Sequence, residues 1–216
     1  MVKYDFPKYQ IILEIDDDIY FPAEDTFSLI DSIHLSKDVK FVVELGGGSG
    51  IISIVLAKRY PNVRFLITDI SYKAVKTIEK NIHLNNIQNH IDLICMDKLE
   101  SSTHLNPDII IWNPPYLAKD EETDKLKTLE KLMFIGGNKG FEEIYELIQY
   151  LKSKNFQTNL YTIFSSLGNS DYIFARIKKE GIEFEICDEV KLFFEKLYIV
   201  KVKVCDNYEK TIRNKS

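Results

Sequence analysis

Cysteine is scarce in this chain of 216 residues: Cys95, Cys187 and Cys205 are scattered, odd in number and never in a CxxC spacing. That pattern supports neither a disulfide framework nor a zinc site, so buried or half-buried thiols are expected. Long apolar runs are missing too, since nowhere do about 18 apolar residues follow one another as a bilayer span requires. The first ten residues, MVKYDFPKYQ, contain no apolar stretch of the signal-peptide kind, which makes an intracellular, cytoplasmic protein the expectation. Repeats and low-complexity segments are absent. Nor is there a basic excess. The net charge of −5 argues against a general nucleic-acid binder, although a local basic patch can hide in an acidic total.

What is present is the composition of a soluble globular domain, and 216 residues fit one domain. Residues 1–206 are read as that domain, with a polar, frayed tail at 207–216. From residue 41 onward, strand-like and helix-like runs alternate. Residues 41–45, 63–68, 91–96 and 109–112 read as strands, and 51–59 and 71–85 as helices, with Ser71 as an N-cap and Ala74, Val75, Ile78 and Ile82 on one face. Such alternation implies a parallel, doubly wound sheet covered by helices. A helix at 142–152, a strand at 159–164 and a helix at 171–180 follow. Two strands, 182–187 and 197–204, then lie too close in sequence for a helical crossover, so they should pair antiparallel. Upstream, FPAEDTF at 21–27 either starts a helix capped by Asp25, Thr26 or Ser28, or folds over whatever the following glycine loop binds.

That loop, Gly46-Gly47-Gly48-Ser49-Gly50, joins the first strand of the alternation to its helix, where open α/β sheets place ligands. It is not a dinucleotide fingerprint, because Ile51 stands where the third glycine of G-x-G-x-x-G belongs. It also lacks the lysine of a Walker loop. The remaining pattern, E-x-G-x-G-x-G from Glu44 to Gly50, suits a nucleoside carrying an amino acid better than a pyrophosphate. Asp69 ends the second strand, where an acid can accept hydrogen bonds from both ribose hydroxyls. Asp97 ends the third, where it can accept from a donor such as an exocyclic amine. The fourth strand runs into Asn113-Pro114-Pro115-Tyr116. An amide oxygen, carbonyls beside prolines that carry no N–H, and a flat ring together make a clamp for a planar nitrogen group. Taken alone, the same tetrapeptide is also an ordinary strand stop.

Together these residues resemble a class I S-adenosylmethionine-dependent methyltransferase. NPPY, combined with FPAEDTF at 21–27, ELGGGSG at 44–50, TDIS at 68–71 and MFIGGNKGFE at 133–142, resembles the HemK-type enzymes, in particular the eukaryotic and archaeal branch of release-factor glutamine methyltransferases. The resemblance spans about residues 19 to 204. It implies an α/β, Rossmann-like fold with a seven-stranded, mostly parallel sheet and an antiparallel C-terminal hairpin. It further implies S-adenosyl-L-methionine as cofactor. Glu44, Gly46 and Gly48 would wrap its methionine part, Asp69 would hold the ribose, Asp97 the adenine, and Thr26 would close over the carboxylate end, with Ile70, Lys98 and Asn113 also binding the cofactor. Asn113 would bind the target nitrogen beside the cofactor, with Pro114 and Tyr116 completing the catalytic set, and no metal is implied. The partners implied are a translation release factor as substrate and a small zinc-binding activator protein that pairs along the edge strand 91–96. Residues 117–132 are charged and lysine-rich, unlike a shared family signature, so no substrate contacts carry over there. Alternative substrates for the same clamp are a nucleic-acid adenine amine or a protein lysine. A non-catalytic S-adenosylmethionine-binding scaffold is the reading from a different class.

Overall fold

The computed structural model describes residues 1–87, 90–99 and 105–205. The alternation reads through to the backbone as β3 (Phe41–Leu45), α2 (Ile51–Arg59), β4 (Arg64–Asp69), α3 (Tyr72–Leu84), β5 (Ile91–Cys95) and β6 (Ile109–Trp112). After β6 come a short 3-10 turn (Thr123–Lys125), α4 (Thr128–Phe134), α5 (Glu142–Ser153), β7 (Thr158–Ser165), α6 (Ser170–Lys179), β8 (Glu183–Lys191) and β9 (Lys196–Val204). Seven strands form one sheet in the order β5-β4-β3-β6-β7-β9-β8. Neighbours from β5 to β7 are parallel, while β9 runs antiparallel to both β7 and β8. This is the architecture expected from the sequence, with a last hairpin longer on both strands. A bulge at Cys187 keeps β8 in register, because Ile186 faces Val200 and Asp188 already faces Ile199.

The sheet is covered on both sides, which is why its central strand is apolar without alternation. Ile109 and Ile111 of β6 pack into one cluster with α2, α3 and the helix α1 (Glu24–Ser32), and Ile110 and Trp112 into another with α5 and α6. The α2 helix is buried from Ile51 to Ala57, as a helix wedged between sheet and outer layer must be.

The first twenty residues, for which sequence periodicity suggested no element, form a separate hairpin, β1 (Val2–Phe6) with β2 (Ile11–Ile15). Ile11, Leu13 and Ile15 enter the first core cluster. The outer edge of β2 is satisfied by side chains of α3 rather than by another strand. Asn85 accepts from Ile12 N and donates to Ile12 O, and Asn81 does the same for Glu14. Two residues on a strand and four on a helix advance by nearly the same distance, about 6 to 7 Å, so two asparagines in (i, i+4) can stand in for a strand edge.

Two sequence expectations change. The α1 N-cap is Ala23 with no side-chain cap, and neither Asp25, Thr26 nor Ser28 is the N-cap, because Asp25 and Thr26 already lie inside the first turn, where Asp25 Oδ1 accepts from Thr26 N at 2.5 Å. Cys95 is exposed on β5 rather than buried. The lysine-rich stretch 117–132 contains the start of α4. The tail at 207–216 lies outside the described residues. Among the described residues, no helix is long and apolar enough to cross a membrane.

Candidate active site

The strand order reverses between β3 and β6: β4 and β5 extend to one side of β3, β7 to the other side of β6. At such a switch point the loops leaving the two strands diverge and open a crevice. The register sets Leu45 opposite Trp112, so the glycine loop after β3 and the Asn113-Pro114-Pro115-Tyr116 segment after β6 leave the sheet side by side. They line a cavity of about 750 Å3. Every residue singled out from sequence lines it: Thr26, Glu44, Gly46, Gly48, Asp69, Ile70, Asp97, Lys98, Asn113, Pro114 and Tyr116. Asp18, Ile19, Tyr20 and Pro22 close it from the β2–α1 connection, so the FPAEDTF stretch both begins a helix and walls the site.

Asp25 organises the acceptor side. Its buried carboxylate accepts from Tyr20 Oη at 2.8 Å, Thr26 Oγ1 at 3.1 Å, Asn113 Nδ2 at 3.1 Å and Tyr116 Oη at 3.3 Å. Asn113 Nδ2 also donates to Thr26 Oγ1 at 3.2 Å. Two acceptors on one side of the Asn113 amide fix its orientation, and its Oδ1 is left buried with no partner in the protein. A buried acceptor without a partner is uncommon and marks where a donor on a ligand belongs. Burial and the charge of Asp25 push the Tyr116 and Tyr20 phenols far up, so both stay neutral donors.

On the donor side, Glu44 reaches from β3 to accept from Ser53 N at 2.9 Å, satisfying an open N–H in the first turn of α2. Full burial pushes its carboxyl up to about 7, against the pull of Ser53. Asp69 accepts from Gly48 N at 2.9 Å and Ser71 N at 2.8 Å, which ties the glycine loop to the β4–α3 turn, and each oxygen keeps a lone pair for a ligand. Burial raises its pKa too. Gly48 holds φ +56° with nothing within 4 Å of where a Cβ would stand. Gly47 is glycine for another reason: a Cβ there would lie 2.3 Å from Ile67 Cγ2 and 2.9 Å from Ile78 Cδ1. Further along the edge, Lys98 Nζ pairs with Glu143 at 2.6 Å, lies 3.7 Å from Asp97 and sits over the Trp112 ring. Burial would lower the Lys98 pKa, but Glu143 and Asp97 hold the ammonium above its ordinary value.

Asp18, Asp25, Glu44, Asp69, Asp97, Glu143 and Glu195 line the cavity against Lys98, Lys119 and Lys131. That excess of carboxylates favours a cationic ligand over a polyphosphate. A model of the methyltransferase small domain matches residues 26–134, the stretch that builds both halves of this cavity. The chain belongs to the methyltransferase small domain family. It is 34% identical over 194 residues, 88% of this chain and 94% of the relative, to a putative protein N5-glutamine methyltransferase of Methanocaldococcus jannaschii. It is also 34% identical over 159 residues to a release factor glutamine methyltransferase of Dictyoglomus turgidum, covering 68% of this chain and 56% of that one. Among solved structures, the E. cuniculi Mtq2-Trm112 complex, responsible for methylation of the eRF1 translation termination factor, matches with a TM-score of 0.62 at 24% identity over 86% of this chain and 98% of that one.

For a methyltransferase small domain of this kind the cavity passes the test for S-adenosylmethionine. A volume of about 750 Å3 is within the range of roughly 300–1,000 Å3 that encloses a ligand of drug size, with room for a substrate side chain. The open space at Gly48, the free lone pairs of Asp69 and the carboxylate excess suit a nucleoside bearing a positive charge. Sequence reasoning gave Asp25 itself a role only as a candidate helix cap, although it let the FPAEDTF stretch around it fold over the ligand, and gave Tyr20, Trp112 and Glu195 no role at the cavity. The signal in sequence for Asp25 was an acid beside Thr26 just upstream of a glycine loop; nothing local pointed to Glu195.

Proposed function

We propose that this methyltransferase uses S-adenosyl-L-methionine to methylate the side-chain amide nitrogen of a glutamine in a protein, the GGQ glutamine of a class I translation release factor. The observation that carries this is the Asn113 amide, locked by Asp25 and Thr26 with its Oδ1 buried and unpartnered. An amide nitrogen is a poor nucleophile because its lone pair is delocalised into the carbonyl. Asn113 Oδ1 and the Pro114 carbonyl accept its two N–H bonds and aim the lone pair, with the Tyr116 ring against the amide plane and its hydroxyl anchored on Asp25. When bound, the cofactor supplies a methyl group on a sulfonium sulfur, which departs as the neutral thioether while the nitrogen sheds its extra proton to solvent. Orientation and fixed dipoles supply the rate, with no dedicated general base. Glu44, Gly46 and Gly48 hold the methionine part, Asp69 and Ile70 the ribose, Asp97 and Lys98 the adenine, and Thr26 stands at the carboxylate end.

A small zinc-binding activator protein is the second partner in this reading, on the free edge of β5. Ile91 is buried and Leu93 half-buried against the first core cluster, but Ile94 is 42% exposed, and Ile70 and Tyr72, which follow the neighbouring strand β4, are 58% and 65% exposed. A bare edge with apolar residues invites strand pairing. The chain through residue 206 acts as one domain, since the β1–β2 hairpin shares a core with the sheet, and it works in the cytoplasm beside its translation-factor substrate.

The test is incubation with labelled cofactor and, in parallel, release factor, total RNA or DNA. Label is expected in the factor, at its GGQ glutamine, and label in nucleic acid alone overturns the proposal. Asn113→Ala should lower kcat at least a hundredfold, about the effect of removing one preorganised group, while S-adenosylhomocysteine still binds. More than a few per cent residual activity would sink the assignment of Asn113.

A further inference from the structure

The two most exposed large apolar side chains among the described residues are neighbours: Phe193 at 92% and Phe194 at 84% exposure. They occupy the turn between β8 and β9. Because β9 is antiparallel to β7 and Leu197 faces Ser165 at the carboxyl end of β7, this turn lies on the same sheet edge as Asn113. The next residue, Glu195, lines the cavity and accepts from Ser165 Oγ. Leu192 N donates to Glu195 O at 2.8 Å, Ser166 N to Lys196 O at 2.8 Å, and Lys196 N to Ser166 Oγ at 2.9 Å. The turn is therefore pinned from both sides, and the two rings, in edge contact at 4.6 Å, are held outward from a fixed base. Leu132 of α4, 57% exposed, also lines the cavity.

We infer that Phe193 and Phe194 form a docking wedge for the protein substrate, gripping the polypeptide that flanks the target glutamine. This rests on the glutamine-methylation reading above. A target amide that enters the cavity brings its chain across the rim, where Glu195 fixes the wedge. Rings on a pinned turn bind such a chain with little further loss of freedom, and exposed aromatics are the residues that most often carry interface energy. The carboxylates lining the cavity disfavour a phosphate backbone as the occupant.

The test is steady-state methylation of intact release factor by F193S/F194S and F193L/F194L, with calorimetry of S-adenosylhomocysteine as a check on the cavity. Losing two aromatic anchors should raise KM for the factor about tenfold or more in the serine variant, with kcat and cofactor affinity within about twofold. The leucine variant, still apolar, should keep KM within about threefold. An unchanged KM in the serine variant overturns the wedge, and so does an equal loss in the leucine variant or a parallel loss of cofactor affinity. Wild-type self-association or vesicle binding that disappears in F193S/F194S while KM stays put would assign the rings to a second copy or a membrane instead. If the wild type fails to label the factor at all, the glutamine reading falls first and takes the wedge with it, so the two failures are distinguishable.

Discussion

In the function proposed above Glu44 is a carboxylate buried for its ligand rather than for the fold, and replacing it by glutamine should expose that conflict. Its pKa is about 7 in the folded chain against an ordinary 4.5, a difference of about 2.5 units. At roughly 1.4 kcal/mol per unit, ionised Glu44 destabilises the fold by a ceiling of about 3 kcal/mol. The sign follows from the raised value. Below pH 4.5 both states are protonated and nothing is lost, stability falls between pH 4.5 and 7, and the loss is complete above 7. Glu44→Gln removes the charge but keeps an acceptor for Ser53 N. In urea unfolding without cofactor, the variant should therefore gain on the wild type by roughly 2–3 kcal/mol between pH 5 and pH 8. Comparing the two proteins at each pH cancels the other carboxylates. Cofactor binding should move the other way: wild-type affinity for S-adenosylmethionine falls about tenfold per pH unit below 7, and the variant binds weakly with no such slope. Parallel stability profiles for the two proteins between pH 5 and 8 would refute the account of Glu44.

Asp25→Asn puts an NH2 among five donors, which releases the Asn113 amide; kcat should fall about ten- to a hundredfold with KM for the factor and S-adenosylhomocysteine affinity nearly unchanged, and a KM effect alone would refute the positioning role. Gly47→Ala forces a methyl against Ile67 and Ile78 and should cost about 1–3 kcal/mol in urea unfolding. Gly48→Ala, with open space at its Cβ, should cost less stability than Gly47→Ala while weakening S-adenosylhomocysteine more; the reverse order in calorimetry and unfolding would refute the division of labour within the loop. Ile94→Asp on the β5 edge should abolish co-purification of a small zinc protein and leave the thermal midpoint of the chain itself within about 2 °C, as surface changes do; undiminished co-purification refutes that surface.

The parallel core was legible because its signals are local. β6 is a short apolar run bounded by polar residues, α3 shows a helical stripe behind its Ser71 cap, and Gly46 and Gly48 mark positive-φ positions. The N-terminal hairpin was not legible, since β1 is mostly exposed and β2 is held by Asn81 and Asn85 from a helix some seventy residues away. The cap at Asp25 and Thr26 was misjudged for a related reason. Both residues have the right chemistry for a helix start, and only the return of β6 beside them offers Asn113 as a competing partner. Gly47 looked like a spacer because the isoleucines that exclude a side chain there come from β4 and α3.

By itself the sequence determined the strand and helix alternation, the antiparallel ending and the identities of both motifs, because periodicity, turn chemistry and side-chain donors are properties of neighbouring residues. Tertiary structure decided which way the Asn113 amide points, that Asp25 is a hub for donors from three segments, and that Glu195, next in the chain to two exposed phenylalanines, lines the cavity. Each of those depends on the register between strands far apart in the chain, Leu45 on Trp112 and Leu197 on Ser165, and such pairings leave no trace in local composition.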